Sequence, residues 1–146
     1  MRLFSFSLLI SAFVFVGGWE TDLESAKHKA QDEHKFILLN FSGSDWCGPC
    51  IRMHQEIFEN DDFKKYADNN LVLLNADFPR LKKNQLPKDL QKKNEVLADK
   101  YNSKGIFPLT LLLAADGTVI QAWEGVPDKA PQQFIKQLKE LIDSRK

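Results

Sequence analysis

Phe36-Ile37-Leu38-Leu39-Asn40-Phe41-Ser42-Gly43-Ser44-Asp45-Trp46-Cys47-Gly48-Pro49-Cys50 is the stretch that decides the fold. Phe36–Phe41 is a short apolar run, the signature of a buried strand. Ser42 to Asp45 reads as a loop. A helix is expected to begin around Cys47 and to run to about Phe58. Both cysteines of the chain therefore fall between a buried strand and the first turn of a helix.

That placement has chemical consequences. A cysteine pair at i and i+3 on a first helical turn can close a disulfide reversibly. The free N–H groups and the dipole at a helix start stabilise an anion. Cys47 is thus expected to have a lowered pKa and to be the attacking thiolate. Cys50, one turn inward, is expected to be the resolving thiol. Pro49 suits the first turn, where its missing N–H is not needed. Gly48 leaves room for a partner chain to approach. Two other readings stand beside this one. An inert stabilising disulfide across so small a loop is worth only roughly 2 kcal/mol. Metal binding would draw on Cys47, Cys50 and His54 at i, i+3 and i+7, and zinc or copper would need further ligands.

Outward from the motif, helices and strands alternate. Thr21-Asp22-Leu23-Glu24 has the capping-box pattern, and Leu23, Ala26 and Ala30 follow at helical spacing, predicting a helix to about Glu33. Asn60 is a good cap for a further helical turn or two with Phe63, Tyr66 and Ala67 inward. Leu71–Ala76 is a second buried strand. Phe78 to Leu86 is basic and reads as a loop. Pro87 to Tyr101 is predicted helical, with Leu90, Leu97 and Tyr101 on one face. Leu109–Ala114 and Val119–Glu124 are strands, and Asp116-Gly117 between them is a hairpin signal. Pro127-Asp128 marks a turn. Ala130 to Ser144 is the last helix, with Phe134, Ile135, Leu138, Leu141 and Ile142 as its buried stripe. The order implies an α/β fold, a central mixed β-sheet of about four to five strands flanked by helices on both faces. Lys82, Lys83, Lys88, Lys92 and Lys93 form either a solvated face or a docking patch for an acidic partner.

The composition bounds the function. The chain has 146 residues, 20 Lys+Arg against 20 Asp+Glu, and two cysteines. A formal charge of zero argues against a nucleic-acid partner. Two cysteines are too few for a disulfide framework or a four-thiolate zinc site. Residues 1–18 hold 12 apolar residues and one charge, Arg2. The apolar run Leu3–Val16 spans 14 residues, short of the ~20 of a membrane span. It reads as a cleaved signal peptide ending near Gly18, the other reading being an uncleaved anchor. Residues 19–146 then form one domain with net charge −1 and no stable membrane insertion.

The cysteine pair in this context resembles the thioredoxin family, and the resemblance covers nearly all of residues 19–146. Phe36–Phe41 is similar to the strand leading into that family's active site, and Leu71–Asp77 to the next parallel strand. Gly105-Ile106-Phe107-Pro108 is similar to its cis-proline loop, and Leu109–Glu124 to its closing hairpin. The fuller pattern from Trp19 through Trp46 resembles exported thioredoxin-like disulfide-interchange proteins. The resemblance implies a redox-active disulfide between Cys47 and Cys50 as the catalytic pair. It implies supporting roles for Trp46, Gly48, Pro49 and Pro108, and substrate binding at Phe107, Pro108 and Gly125. A cis Pro108 would leave the backbone of Phe107 free to pair with an extended substrate segment. Trp46 is either a cover over the thiols or a plain core tryptophan.

Four departures stand out. Asn40 replaces the buried acid that the family uses to handle the proton of the resolving cysteine, so that Asp45 or water would take over; likewise Leu73 replaces a buried lysine. Thirty residues separate Asp77 from Pro108, about twice the family's usual number, a helical insertion around residues 78–101. Pro108 is followed by Leu109 rather than threonine and preceded by the bulky Phe107.

The reading is an exported thiol–disulfide oxidoreductase that reduces or isomerises disulfides in client proteins. It needs no cofactor and no metal. Its partners are protein disulfide or dithiol substrates and a membrane thiol-electron carrier as donor. It would be periplasmic in a Gram-negative bacterium and secreted otherwise. The alternatives are a non-catalytic binding or chaperone-like module and a thiol-based metal-handling protein.

Overall fold

The computed structural model describes residues 18–127 and 130–145. The expected leader, apart from Gly18, and Asp128 of the expected turn lie outside the described residues. Helix α1 (Leu23–Asp32) leads into strand β1 (Phe36–Ser42). Helix α2 (Gly48–Met53) continues directly into a π-helical segment, His54–Phe58, before α3 (Asp61–Asn70) and β2 (Leu71–Asp77). After a 3₁₀ turn at Lys82–Asn84 come α4 (Lys88–Tyr101), β3 (Leu109–Leu113), β4 (Val119–Glu124) and α5 (Pro131–Asp143). No helix among the described residues is long and apolar enough to cross a membrane.

The sheet order is β2-β1-β3-β4. β1 and β2 run parallel, whereas β3 is antiparallel to both β1 and β4. The sheet is thus mixed and four-stranded, as the alternation followed by a hairpin implies. A fifth strand is only begun: Glu20 bridges Leu74 in parallel, through Glu20 N–H to the Leu73 carbonyl and Asn75 N–H to the Glu20 carbonyl.

Each face of the sheet carries its own core. Ala26 and Ala30 of α1 and Leu97 of α4 join Ile37, Leu39, Leu74 and Leu111 on one side. Met53, Ile57, Phe63, Phe134 and Leu138 join Leu38 and Leu112 on the other. Neighbouring residues of a strand point to opposite faces, so a run such as Ile37-Leu38-Leu39 is apolar throughout because both faces are covered. Phe134 is fully buried, stacked on Phe63 at 6.2 Å and edge-on to Trp123 at 5.1 Å. Its truncation to alanine is worth ~3–5 kcal/mol.

Several local expectations shift. The first helix is capped by Asp22, not Thr21. The Asp22 carboxylate accepts from the Ser25 backbone N–H at 2.9 Å, and a charged acceptor also meets the helix dipole. Glu24 turns instead to Lys27. The second helix does reach Phe58, but its last turn is π: Glu59 N–H bonds the His54 carbonyl, five residues back. In α5, Phe134, Leu138 and Ile142 are buried, with Ile135 and Leu141 only partly so. In α4 the buried face carries Asn94 as well as Leu97, and the Asn94 amide donates to the Asp77 carbonyl at 2.9 Å.

Candidate active site

Strand β1 delivers the motif at its C-terminal end. A tight turn follows, in which Trp46 N–H and Cys47 N–H both bond the Gly43 carbonyl. Cys47 is the N-cap of α2, and its sulfur accepts from the Cys50 backbone N–H at 3.3 Å. Cys47 and Cys50 are joined in a disulfide with their Cα atoms 5.2 Å apart. Each cysteine is only 5% exposed, while Gly48 and Pro49 between them are exposed. Apart from its chain neighbours and the backbone of its own helix, nothing among the described residues comes within 4 Å of where a Cβ on Gly48 would lie.

A second loop meets the first. The Phe107–Pro108 peptide bond is cis. Because Phe41 pairs with Leu109, Pro108 stands just before β3, level with the chain that leaves β1 for the motif. Asn102, 5% exposed, holds this loop from below. Its side chain accepts from Ile106 N–H at 2.9 Å and donates to the Ile106 carbonyl at 2.8 Å. Gly125, with φ 78°, donates its N–H to the Pro108 carbonyl at 2.9 Å. A positive φ of that size is natural to glycine. The Phe107 backbone N–H and carbonyl have no partner among the described residues.

Trp46 ties the two loops together. Its ring meets Phe107 edge-on at 5.5 Å, and Phe107 meets Phe78 in the same way at 5.5 Å. The indole N–H donates to the Phe78 carbonyl at 2.7 Å. The guanidinium carbon of Arg80 lies 3.7 Å over the indole centroid. Trp46 is half-buried and packs between Phe107, Phe78 and Arg80.

The Asp45 carboxylate is engaged by the segment after β2. It accepts from Arg80 N–H at 2.9 Å, Leu81 N–H at 2.9 Å and the Asn84 amide at 3.0 Å. The Arg80 N–H foremost, then Leu81 and Asn84, hold its pKa below the ordinary 3.8. It anchors the segment after β2, so it is not placed to take over the proton of Cys50.

Behind Cys50 lies a cavity of about 330 Å³, lined in part by Asn40, Ser42, His54, Phe58 and Asn75. Asn40 is the centre of a polar seam across three strands. Its amide donates to Asn75 Oδ1 at 3.2 Å, and its Oδ1 accepts from the Thr110 hydroxyl at 3.1 Å. Ser42 donates toward Asn75 and Asp77, and Ser44 bonds Asp77 through both its N–H and its hydroxyl. A buried polar row of this kind is tolerated because its members satisfy one another. Sequence reasoning noted Asn40 but missed Asn75. The signal was there: each asparagine is the fifth residue of its apolar run, and the parallel register sets Asn40 beside Asn75.

His54 lines the same cavity, with its Nε2 3.4 Å from a Glu59 carboxylate oxygen. Among the described residues no group of three or more His, Cys, Asp or Glu side chains is arranged to hold a metal ion.

A family model described as a thioredoxin-like domain matches residues 23–142. The chain is 39% identical over 99 residues to the disulfide bond reductase DsbH of Chlamydia pneumoniae, a match covering 68% of this chain and 57% of that protein's length. It is 28% identical over 96 residues to the thioredoxin-related protein DsbJ of the same organism, covering 66% of this chain and 27% of that one. Among solved structures, a DsbH oxidoreductase superposes with a TM-score of 0.76 at 27% identity over 95% of each chain. A thioredoxin from Thermus thermophilus shares the fold, with a TM-score of 0.63 at 14% identity over 87% of this chain and 88% of that one.

Proposed function

This chain belongs to the thioredoxin-like family, and on that premise we propose that it is an exported thiol–disulfide oxidoreductase working as a disulfide reductase through Cys47 and Cys50. The observation that carries the reading is the Cys47–Cys50 bond itself, set at a helix start beside an exposed Gly48-Pro49. The similarity to a disulfide bond reductase supports the reductive direction.

In the reduced form Cys47 is the nucleophile. The Cys50 N–H that now points at its sulfur would stabilise the thiolate, as charge at a helix start is stabilised. The thiolate attacks one sulfur of a client disulfide, and the client's other sulfur leaves as a thiolate. Cys50 then loses its proton and attacks Cys47 in the mixed disulfide. The Cys47–Cys50 bond forms, the client leaves with both thiols, and two electrons have passed from protein to client. A membrane thiol carrier would return them.

Phe107, Pro108 and Gly125 form the client-binding edge in this reading. The unpaired Phe107 backbone is available to an extended client segment, with main-chain pairing as in strand addition. Trp46, Gly48 and Pro49 support the thiols and leave the approach open. Residues 1–18 act as a cleaved leader, and residues 19–146 form the thioredoxin-like domain with its insertion at 78–101. The compartment is the periplasm or the exterior.

Insulin reduction with dithiothreitol as donor tests this function. The wild type reduces insulin, Cys47→Ser does not, and Cys50→Ser accumulates a mixed disulfide. Equal inactivity of wild type and Cys47→Ser, with peptide binding retained, supports instead a binding module that uses the free Phe107 edge.

A further inference from the structure

The segment after β2 carries a cation to the candidate active site. Asp45 bonds the backbone N–H groups of Arg80 and Leu81 and the amide of Asn84. Trp46 bonds the carbonyl of Phe78. Asp45 and Trp46 of the motif loop thus fix the backbone from which Arg80 projects. The Arg80 side chain lies over the Trp46 ring, one residue from Cys47. It is exposed, and it has no carboxylate partner among the described residues.

A guanidinium resting on an aromatic ring uses its flat face. Its in-plane N–H donors stay free, and their fork matches a carboxylate. The indole also holds the cation in place, so less side-chain freedom is lost when a carboxylate arrives. Beside Arg80, Leu81 is 48% exposed, and Lys82 and Lys83 are exposed with no ion pair among the described residues. The Asp45 carboxylate nearby is already occupied by three donors, and the Asp77 carboxylate by Ser42 and Ser44. Bonds from neutral groups leave those carboxylates charged but turn their oxygens away from a client. The cationic donors on this rim with no ion pair among the described residues are Arg80, Lys82 and Lys83.

We propose that Arg80 is a specificity-determining residue: it selects client segments that carry an Asp or Glu next to the target cysteine. The proposal rests on the reading of the Cys47–Cys50 pair as the client-reducing couple, and it adds what kind of client that couple meets. Arg80 contacts the client's flanking residue and takes no part in the thiol exchange.

Matched peptides separate the two. One set carries a disulfide flanked by Glu, Ala or Lys and is used for turnover by the full chain. A second set has serine in place of cysteine and is used for binding by calorimetry. For wild type, kcat/KM and affinity should both favour the Glu peptide over the Lys peptide by roughly three- to five-fold, the upper part of the range of an exposed ion pair. The ratio should shrink at high salt. Arg80→Gln should bring it close to one, Arg80→Glu should invert it, and Arg80→Lys should retain part of it. Equal ratios in wild type and Arg80→Gln, in turnover and in binding alike, would overturn the proposal. Loss of turnover on every peptide with the binding ratio intact would remove the reductase reading and leave the Arg80 preference standing.

Discussion

A Cβ added to Gly43 would fall inside the van der Waals envelope of the Trp46 indole. Glycine here serves close approach, since its φ is not in the left-handed region. The indole cannot swing aside freely: it is bonded to the Phe78 carbonyl, packed on Phe107 and covered by Arg80. Gly43→Ala should therefore destabilise the protein by about 1–3 kcal/mol, the usual effect of overpacking. Urea denaturation measures the loss, and the Trp46 indole N–H resonance should shift with it. An unchanged midpoint would mean that the motif loop relaxes without cost.

The polar seam predicts an asymmetry. The Thr110 hydroxyl is fully buried and bonds Asn40 Oδ1, its other contact being the weak sulfur of Met53 at 3.9 Å. Asn40→Leu strands that hydroxyl and should cost about 1–3 kcal/mol. Thr110→Val removes the donor while Asn40 still lines a cavity that water can enter. It should cost less than about 1 kcal/mol. Paired urea titrations check the order, and a larger loss for Thr110→Val would contradict it.

Asp45 predicts part of the acid limb of stability. Its folded pKa is depressed below 3.8, chiefly by Arg80 N–H and then by Leu81 and Asn84. A depressed carboxyl contributes stability that is fully present above the unfolded value and lost as pH falls through the folded one. Stability should thus decline below about pH 4, the unfolded aspartate range. Asp22, bonded by Lys93 and Ser25, and Asp116, bonded by Thr118, act in the same window. In Asp45→Asn the decline between pH 4 and pH 2 should be shallower than in wild type but not absent. Urea midpoints across that range provide the comparison, and superimposable profiles would count against the anchor role.

Much of this molecule can be read along the chain, where the signals are local. The Asn60 cap, with Asp62 and Phe63 N–H on its oxygen, and the Asp116-Gly117 hairpin depend on neighbours in sequence. So does the placement of both cysteines at a helix start. What escapes such a reading depends on residues brought together by folding. Asp45 bonds residues 35 to 39 positions away, so its loop setting alone suggests proton handling that its true partners preclude. Thr21 and Asp22 both fit an N-cap pattern, and only the backbone entry decides between them. The π turn at His54–Phe58 adds a residue to a helix whose apolar spacing still looks ordinary. Arg80 reads as one more charge in a basic loop until it is seen against Trp46.

The reduction potential of the Cys47–Cys50 couple decides whether it runs in the reductive direction. Equilibration of the protein with glutathione buffers, with the thiol and disulfide forms quantified after acid quench, gives the value. A reductase should be more reducing than about −200 mV, in the range of glutaredoxins and thioredoxin. A potential of about −120 mV, that of a strong disulfide donor, would make the protein an oxidant and not a reductase.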